Sequence, residues 1–120
     1  MNDSDSHTRF TFERLDAYCV ARDVLRDVVA QRSKLRGLPG EIAGQLERAA
    51  VSTVANIAEG AGRVTRADKR ARWAIARGEA NEVAALVEIA AALGALSPEV
   101  HGALRARLLR LTAMLRAMSA

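Results

Sequence analysis

The chain has 120 residues, enough for one hydrophobic core and too few for two, so a single domain over residues 11–120 is expected behind a flexible tail at residues 1–10. Half of the residues are apolar and only four are Phe, Trp or Tyr, which excludes a disordered chain and predicts an interior of Ala, Leu, Val and Ile. The net charge of +4 suits an anionic partner, while the lone Cys19, the polar first seven residues and the lack of a long uninterrupted apolar run predict a cytoplasmic protein without disulfides, secretory signal or membrane span.

Taken in chain order, four helical segments are predicted. In the first, residues 12–35, Leu15, Tyr18, Ala21, Leu25 and Val28 recur at three-to-four-residue steps, with Val24 and Val29 widening the stripe. Gly37 and Pro39 end that segment and open the next, residues 39–58, which carries Ile42, Leu46, Ala49, Thr53 and Ile57 on one face. Gly60 and Gly62 are expected to stop it. Thr65 with Asp68 three positions on resembles a capping box and starts the longest segment, residues 66–93, whose apolar face runs through Trp73, Ala76, Ala80, Val83, Val87 and Ala90. Gly78 inside this helix costs about 1 kcal/mol relative to Ala, and close contact with another helix is the expected reason for it. Ser97, Pro98 and Glu99 supply a cap, a first-turn proline and a first-turn acid for the last segment, where Leu104, Leu108, Leu111, Leu115 and Met118 form a seam. Leu109 and Met114 lie off this seam, so either the core is wide or a second face meets another subunit. Short connections predict an all-α, antiparallel up-down-up-down four-helix bundle.

Gln45, Ser52, Asn56 and Glu59, spaced by seven, four and three, share one helical face. An antiparallel neighbour bringing Glu79 and Glu82 beside them would create a structural polar network, with Arg48, Arg63 or Arg77 as the cation. Such a network has to be satisfied throughout, because an unpaired buried polar group costs roughly 1 to 3 kcal/mol.

The run Arg48-Ala49-Ala50-Val51-Ser52, followed by Asn56-Ile57-Ala58-Glu59-Gly60 and Arg63, resembles the signature of the bacterial four-helix-bundle family of proteins encoded in intervening sequences of large-subunit ribosomal RNA genes. Phe12, Leu15 and Tyr18, then Leu38-Pro39, then Ala76, Gly78 and Glu82 extend the similarity over residues 12–96. Val54 stands where relatives often have Pro, which predicts a straighter second helix, and Glu79 stands where they often have Ser, which adds a negative charge to the network. The resemblance implies homopentamers. It also implies a relation to the accessory variability protein of diversity-generating retroelements, which partners a reverse transcriptase and nucleic acid.

Catalysis has little to work with. His7 and His101 have no glutamate three residues upstream and form no ligand cluster with Cys19, so neither a di-metal carboxylate site nor a zinc site is expected. Ser52 has no candidate histidine, and Gly60-Ala61-Gly62 lacks the Lys-Ser/Thr ending of a phosphate loop. No cofactor is expected. The basic cluster Arg63, Arg66, Lys69, Arg70, Arg72 and Arg77 is opposed between positions 60 and 77 only by Asp68, and these six residues are the candidate nucleic-acid contacts. Trp73 shares a face with Arg66, Arg70 and Arg77 and either stacks on a base or anchors the helix in the core. Arg105, Arg107, Arg110 and Arg116 form a second basic region. The expected protein is therefore a non-catalytic homo-oligomer that binds RNA or DNA through basic patches, the alternative being a protein-interaction scaffold.

Overall fold

The computed structural model describes residues 8–120, so most of the expected tail lies outside the described residues. Within them the chain is all-helical, with a 3-10 turn at Thr11–Arg14 and five α-helices: α1 (Asp16–Ala30), α2 (Arg32–Leu35), α3 (Ile42–Ala61), α4 (Arg66–Ala92) and α5 (Pro98–Met118). One more α-helix is present than the periodicity predicts, because the first segment is interrupted twice. Leu15 is extended at φ −81° and ψ 125°, and Gln31 leaves the helical region at ψ 7°. The second break turns Leu35 back into the core, where it is 2% exposed, whereas Val29 just before it faces outward.

The core is aliphatic and small-residue-rich, as composition predicts. Ala17, Val20, Ala21, Val24 and Val28 of α1 meet Leu46, Ala49, Ala50 and Ile57 of α3, Ala76, Ala80, Val83 and Val87 of α4, and the Leu104, Leu108, Leu111 and Leu115 seam of α5. Ala at so many facing positions permits close axial approach and leaves little room for adjustment. α1 packs against α3 and α5, and α4 packs against α3 and α5. Of the two residues off the last seam, Met114 packs against the core and Leu109 stays 60% exposed.

The helix ends follow local chemistry. The Thr65 hydroxyl accepts from the Asp68 amide at 3.1 Å, and the Ser97 hydroxyl accepts from the Val100 amide at 3.2 Å. These are two of the orphan amide donors that begin every helix. α3 starts at Ile42 instead of Pro39 because Gly40 and Glu41 both take positive φ, 66° and 56°. A side chain in that left-handed region costs roughly 1–2 kcal/mol, so Glu41 is a strained position.

Two glycines depart from expectation. Gly60 lies within α3 and does not stop it; Gly62 caps the helix two residues later. Gly78 is exposed, and nothing lies within 4 Å of where its Cβ would be, so close helix contact within this chain does not explain it.

Candidate nucleic-acid interface

α3 and α4 meet with a constant antiparallel register near the turn that joins them. The Lys69 ammonium donates to the Ala61 carbonyl at 2.9 Å, Arg72 donates to the Asn56 side-chain carbonyl at 3.3 Å, and the Trp73 indole N–H donates to the Ile57 carbonyl at 3.2 Å. Lys69 thereby satisfies one of the carbonyls left open at the C-terminus of α3, where a cation also complements the helix dipole. Trp73 is half-buried with its N–H occupied, which places it as an anchor of α4 on α3.

The same register sorts the polar residues singled out by the sequence. Asn56 donates to the Ser52 carbonyl at 3.0 Å and to its hydroxyl at 3.2 Å, and accepts from Arg72. Glu59 receives Arg63 at 2.6 Å and Arg72 at 3.6 Å. Ser52, Asn56, Glu59, Arg63 and Arg72 therefore form one connected, partly exposed set. Gln45 is not in it: its amide donates to the Gly40 carbonyl at 2.8 Å and closes the turn before α3. Glu79 and Glu82 are not in it either. Seven residues separate Arg72 from Glu79, about 10 Å along a helix, so the register that puts Arg72 on Asn56 carries both glutamates past it. Among the described residues, the side chains of Glu79 and Glu82 make no hydrogen bond or ion pair, and Glu82 is exposed.

The six basic candidates divide into two groups. Arg63, Lys69 and Arg72 are held by Glu59, the Ala61 carbonyl and Asn56. Arg66, Arg70 and Arg77 carry no ion pair or side-chain hydrogen bond among the described residues; Arg66 and Arg77 are exposed and Arg70 is half-buried. At 100° per residue these three lie within roughly 40° of one another around α4, so the three arginines form one stripe along the helix. The second basic region is partly neutralised, with Arg105 on Glu88 at 2.8 Å and Arg107 paired with Asp27. Arg110 and Arg116 remain without an ion pair among the described residues.

Two constellations are not anticipated by the sequence. Glu88 of α4 takes His101 Nε2 at 2.5 Å on one oxygen and Arg105 at 2.8 Å on the other, joining α4 to α5. The hydrogen bond from His101, reinforced by the nearby positive charge of Arg105, holds the Glu88 carboxyl below its ordinary range. Only the four-residue spacing of His101 and Arg105 hints at a shared partner. The second lies at the N-terminal turn, where Phe10, 69% exposed, stacks on Phe12 with centroids 5.3 Å apart and planes within 5°, and Phe12 in turn tilts against Tyr18 at 4.8 Å.

The solved structures include one with this architecture, a protein of unknown function from the S23 ribosomal protein family of Bacteroides thetaiotaomicron VPI-5482. It is 21% identical, superposes with a TM-score of 0.77, and the match covers 86% of this chain and 97% of that one, which is likeness of fold. No curated protein sequence matches. The model of the family described as 23S rRNA-intervening sequence protein matches residues 13–117, nearly the whole described chain. On that match, and on the run from Arg48 to Arg63 that packs α3 against α4, this chain belongs to the 23S rRNA-intervening sequence protein family.

Proposed function

We propose that this protein is a non-catalytic, homo-oligomeric accessory factor that binds nucleic acid. In this reading its four long helices act as an antiparallel up-down-up-down bundle presenting the α4 basic stripe. The observation that carries the proposal is the division of the basic cluster. Arg63, Lys69 and Arg72 serve the α3–α4 junction, whereas Arg66, Arg70 and Arg77 are aligned with no internal partner among the described residues. Guanidinium groups present five donors in a planar fork matched to phosphate oxygens, and a stripe of them without acidic partners is an electrostatic footprint for a polyanion.

Self-association makes the modest charge effective. Ile75 and Ile89 of α4 and Leu93, the residue that caps it, are each 44–51% exposed, and at 100° per residue they fall within roughly 40° of one another. This outward apolar strip supports assembly of several copies, for which the family resemblance implies a pentamer. Repeating three phosphate contacts per subunit around an oligomer raises avidity without any new contact type. In this reading the arginines engage phosphate oxygens, contacts that hold the strand without reading its sequence.

The test is fluorescence anisotropy with labelled RNA and DNA over a salt series, comparing the wild type with Arg66→Ala/Arg70→Ala/Arg77→Ala. The log of the binding constant is expected to fall linearly with log salt. In the triple variant the slope should become shallower by roughly 2 to 3 per subunit engaged, with the melting temperature and oligomer mass unchanged. No binding by the wild type at low salt removes the proposal and leaves the protein scaffold as the reading.

A further inference from the structure

With the Trp73 ring committed to the α3–α4 junction, the residue that offers a base a free aromatic face is Phe10. All four aromatic residues of the chain are among those described; Phe12, Tyr18 and Trp73 are half-buried, and Phe10 alone is exposed. Its exposure of 69% is unusual for a phenyl ring that is nonetheless held in place. The Phe10 amide donates to the Glu13 carboxylate at 2.8 Å, and the Glu13 amide donates to the Phe10 carbonyl at 3.0 Å, which fixes the backbone at the foot of the ring. Phe12 covers one face of the ring and is itself braced by Tyr18, so the exposed remainder is a rigid aromatic surface.

Its charged surroundings are two arginines and one glutamate, and the Glu13 carboxylate is engaged by the Phe10 amide. Arg9 and Arg14 flank it in the chain, both exposed and both without an ion pair among the described residues. The turn at Thr11–Arg14 packs on α1 and α3. Starting from the Arg32 to Glu47 ion pair, α1 leads back toward the N-terminus while α3 leads on toward Ala61. The turn therefore sits against the C-terminal part of α3, at the end of the molecule where Arg63 lies in the connection to α4 and Arg66 begins that helix. Aromatic rings set among cations that track a backbone are the arrangement that holds unpaired bases, because every base has a π-face and a stacked base leaves its phosphate beside the cation.

We infer that Phe10, braced by Phe12 and Tyr18 and flanked by Arg9 and Arg14, is a stacking platform for an unpaired base, which makes single-stranded nucleic acid the preferred class of ligand. This inference rests on the nucleic-acid reading above and adds the strandedness that the arginine stripe leaves open. A base paired within a duplex cannot reach the ring without unstacking, so Phe10 contributes to single-strand binding alone.

The experiment compares an oligo-dT strand with a DNA duplex in anisotropy titrations of the wild type, Phe10→Ala, Phe10→Leu and Phe10→Tyr, alongside the triple arginine variant. Phe10→Ala and Phe10→Leu are expected to weaken oligo-dT binding about tenfold and duplex binding less than about twofold, with the salt slope unchanged; Phe10→Tyr should bind as the wild type does. A Phe10→Trp variant adds a direct readout, namely fluorescence quenched by oligo-dT well beyond any change from Trp73 in the wild type. If the wild type binds both ligands and Phe10→Leu retains oligo-dT affinity, or the added indole fluorescence of Phe10→Trp ignores oligo-dT, the stacking inference is overturned while the arginine reading stands. A Phe10→Ala variant that changes the oligomer mass and leaves binding intact assigns the ring to contacts between copies and also overturns it. If the wild type binds neither ligand at low salt, both readings fall together.

Discussion

The Trp73 indole occupies the space that a side chain at position 60 would need. A Cβ built on Gly60 would lie 2.5 Å from Nε1 and 2.7 Å from Cδ1 of that ring, and the ring cannot retreat without surrendering its hydrogen bond to the Ile57 carbonyl. Gly60 is therefore required by contact between helices, and its own backbone stays helical. Gly60→Ala is expected to destabilise the protein by about 2–3 kcal/mol through overpacking against a rigid ring, measured by urea unfolding. Trp73→Ala removes the ring and with it the clash, so the double variant should lose less than the sum of the two singles; strict additivity would show that the pair is not in contact.

Gly78 offers the opposite case. It is exposed in the interior of α4 with open space where a Cβ would go. Gly78→Ala should stabilise the isolated chain by about 1 kcal/mol, the helix-propensity difference, with a matching rise in melting temperature. A loss of stability that depends on protein concentration would instead locate Gly78 at a contact between copies.

Release of Arg63 from Glu59 should convert a structural cation into a binding one. Glu59→Gln removes a negative charge beside the free stripe and releases Arg63 from its ion pair, while Arg72 loses its contact with Glu59 and keeps its bond to Asn56. Nucleic-acid affinity at low salt is expected to rise roughly threefold, with a steeper salt slope, because more phosphates are neutralised. Stability should change little, since such half-exposed pairs contribute about 0–1 kcal/mol. An unchanged salt slope in this variant would place the bound phosphates elsewhere.

Glu88 couples stability to acid. Its carboxyl is held below the ordinary glutamate value of 4.5 by the His101 hydrogen bond and the positive charge of Arg105. A depressed carboxyl binds fewer protons in the folded state than in the unfolded one. Its stabilisation is therefore present above the unfolded value and is lost as pH falls through the folded one. Glu88→Gln should flatten this acid limb of the stability curve below about pH 4.5, as followed by thermal unfolding across pH, and leave Glu47, lowered in the same way by Arg32, as a residual contributor. An acid limb identical to that of the wild type would show that the contact does not persist in solution.

Much of the architecture is legible in the sequence because it depends on local periodicity and end chemistry. The Leu104, Leu108, Leu111 and Leu115 seam, the Ala76, Ala80 and Val83 face, and the caps at Thr65 and Ser97 are all repeats or pairs within one or two turns. Such patterns need no knowledge of what a helix packs against. The basic cluster is equally visible, as a run of charge in the sequence. Its division into Arg63, Lys69 and Arg72 on one side and Arg66, Arg70 and Arg77 on the other is not, because which cation meets an acceptor depends on the α3–α4 register. The same register carries Glu79 and Glu82 away from Asn56, and gives Trp73 its place against a glycine that reads as a helix stop. Phe10 shows the limit most plainly: an aromatic beside a polar leader has no periodicity, and only the packing of Phe12 and Tyr18 beneath it decides that its ring is fixed and bare. Identity and spacing along one helix thus set the faces, and the relative axial position of two helices, summed over many weak contacts far apart in sequence, sets which polar groups on those faces are left free.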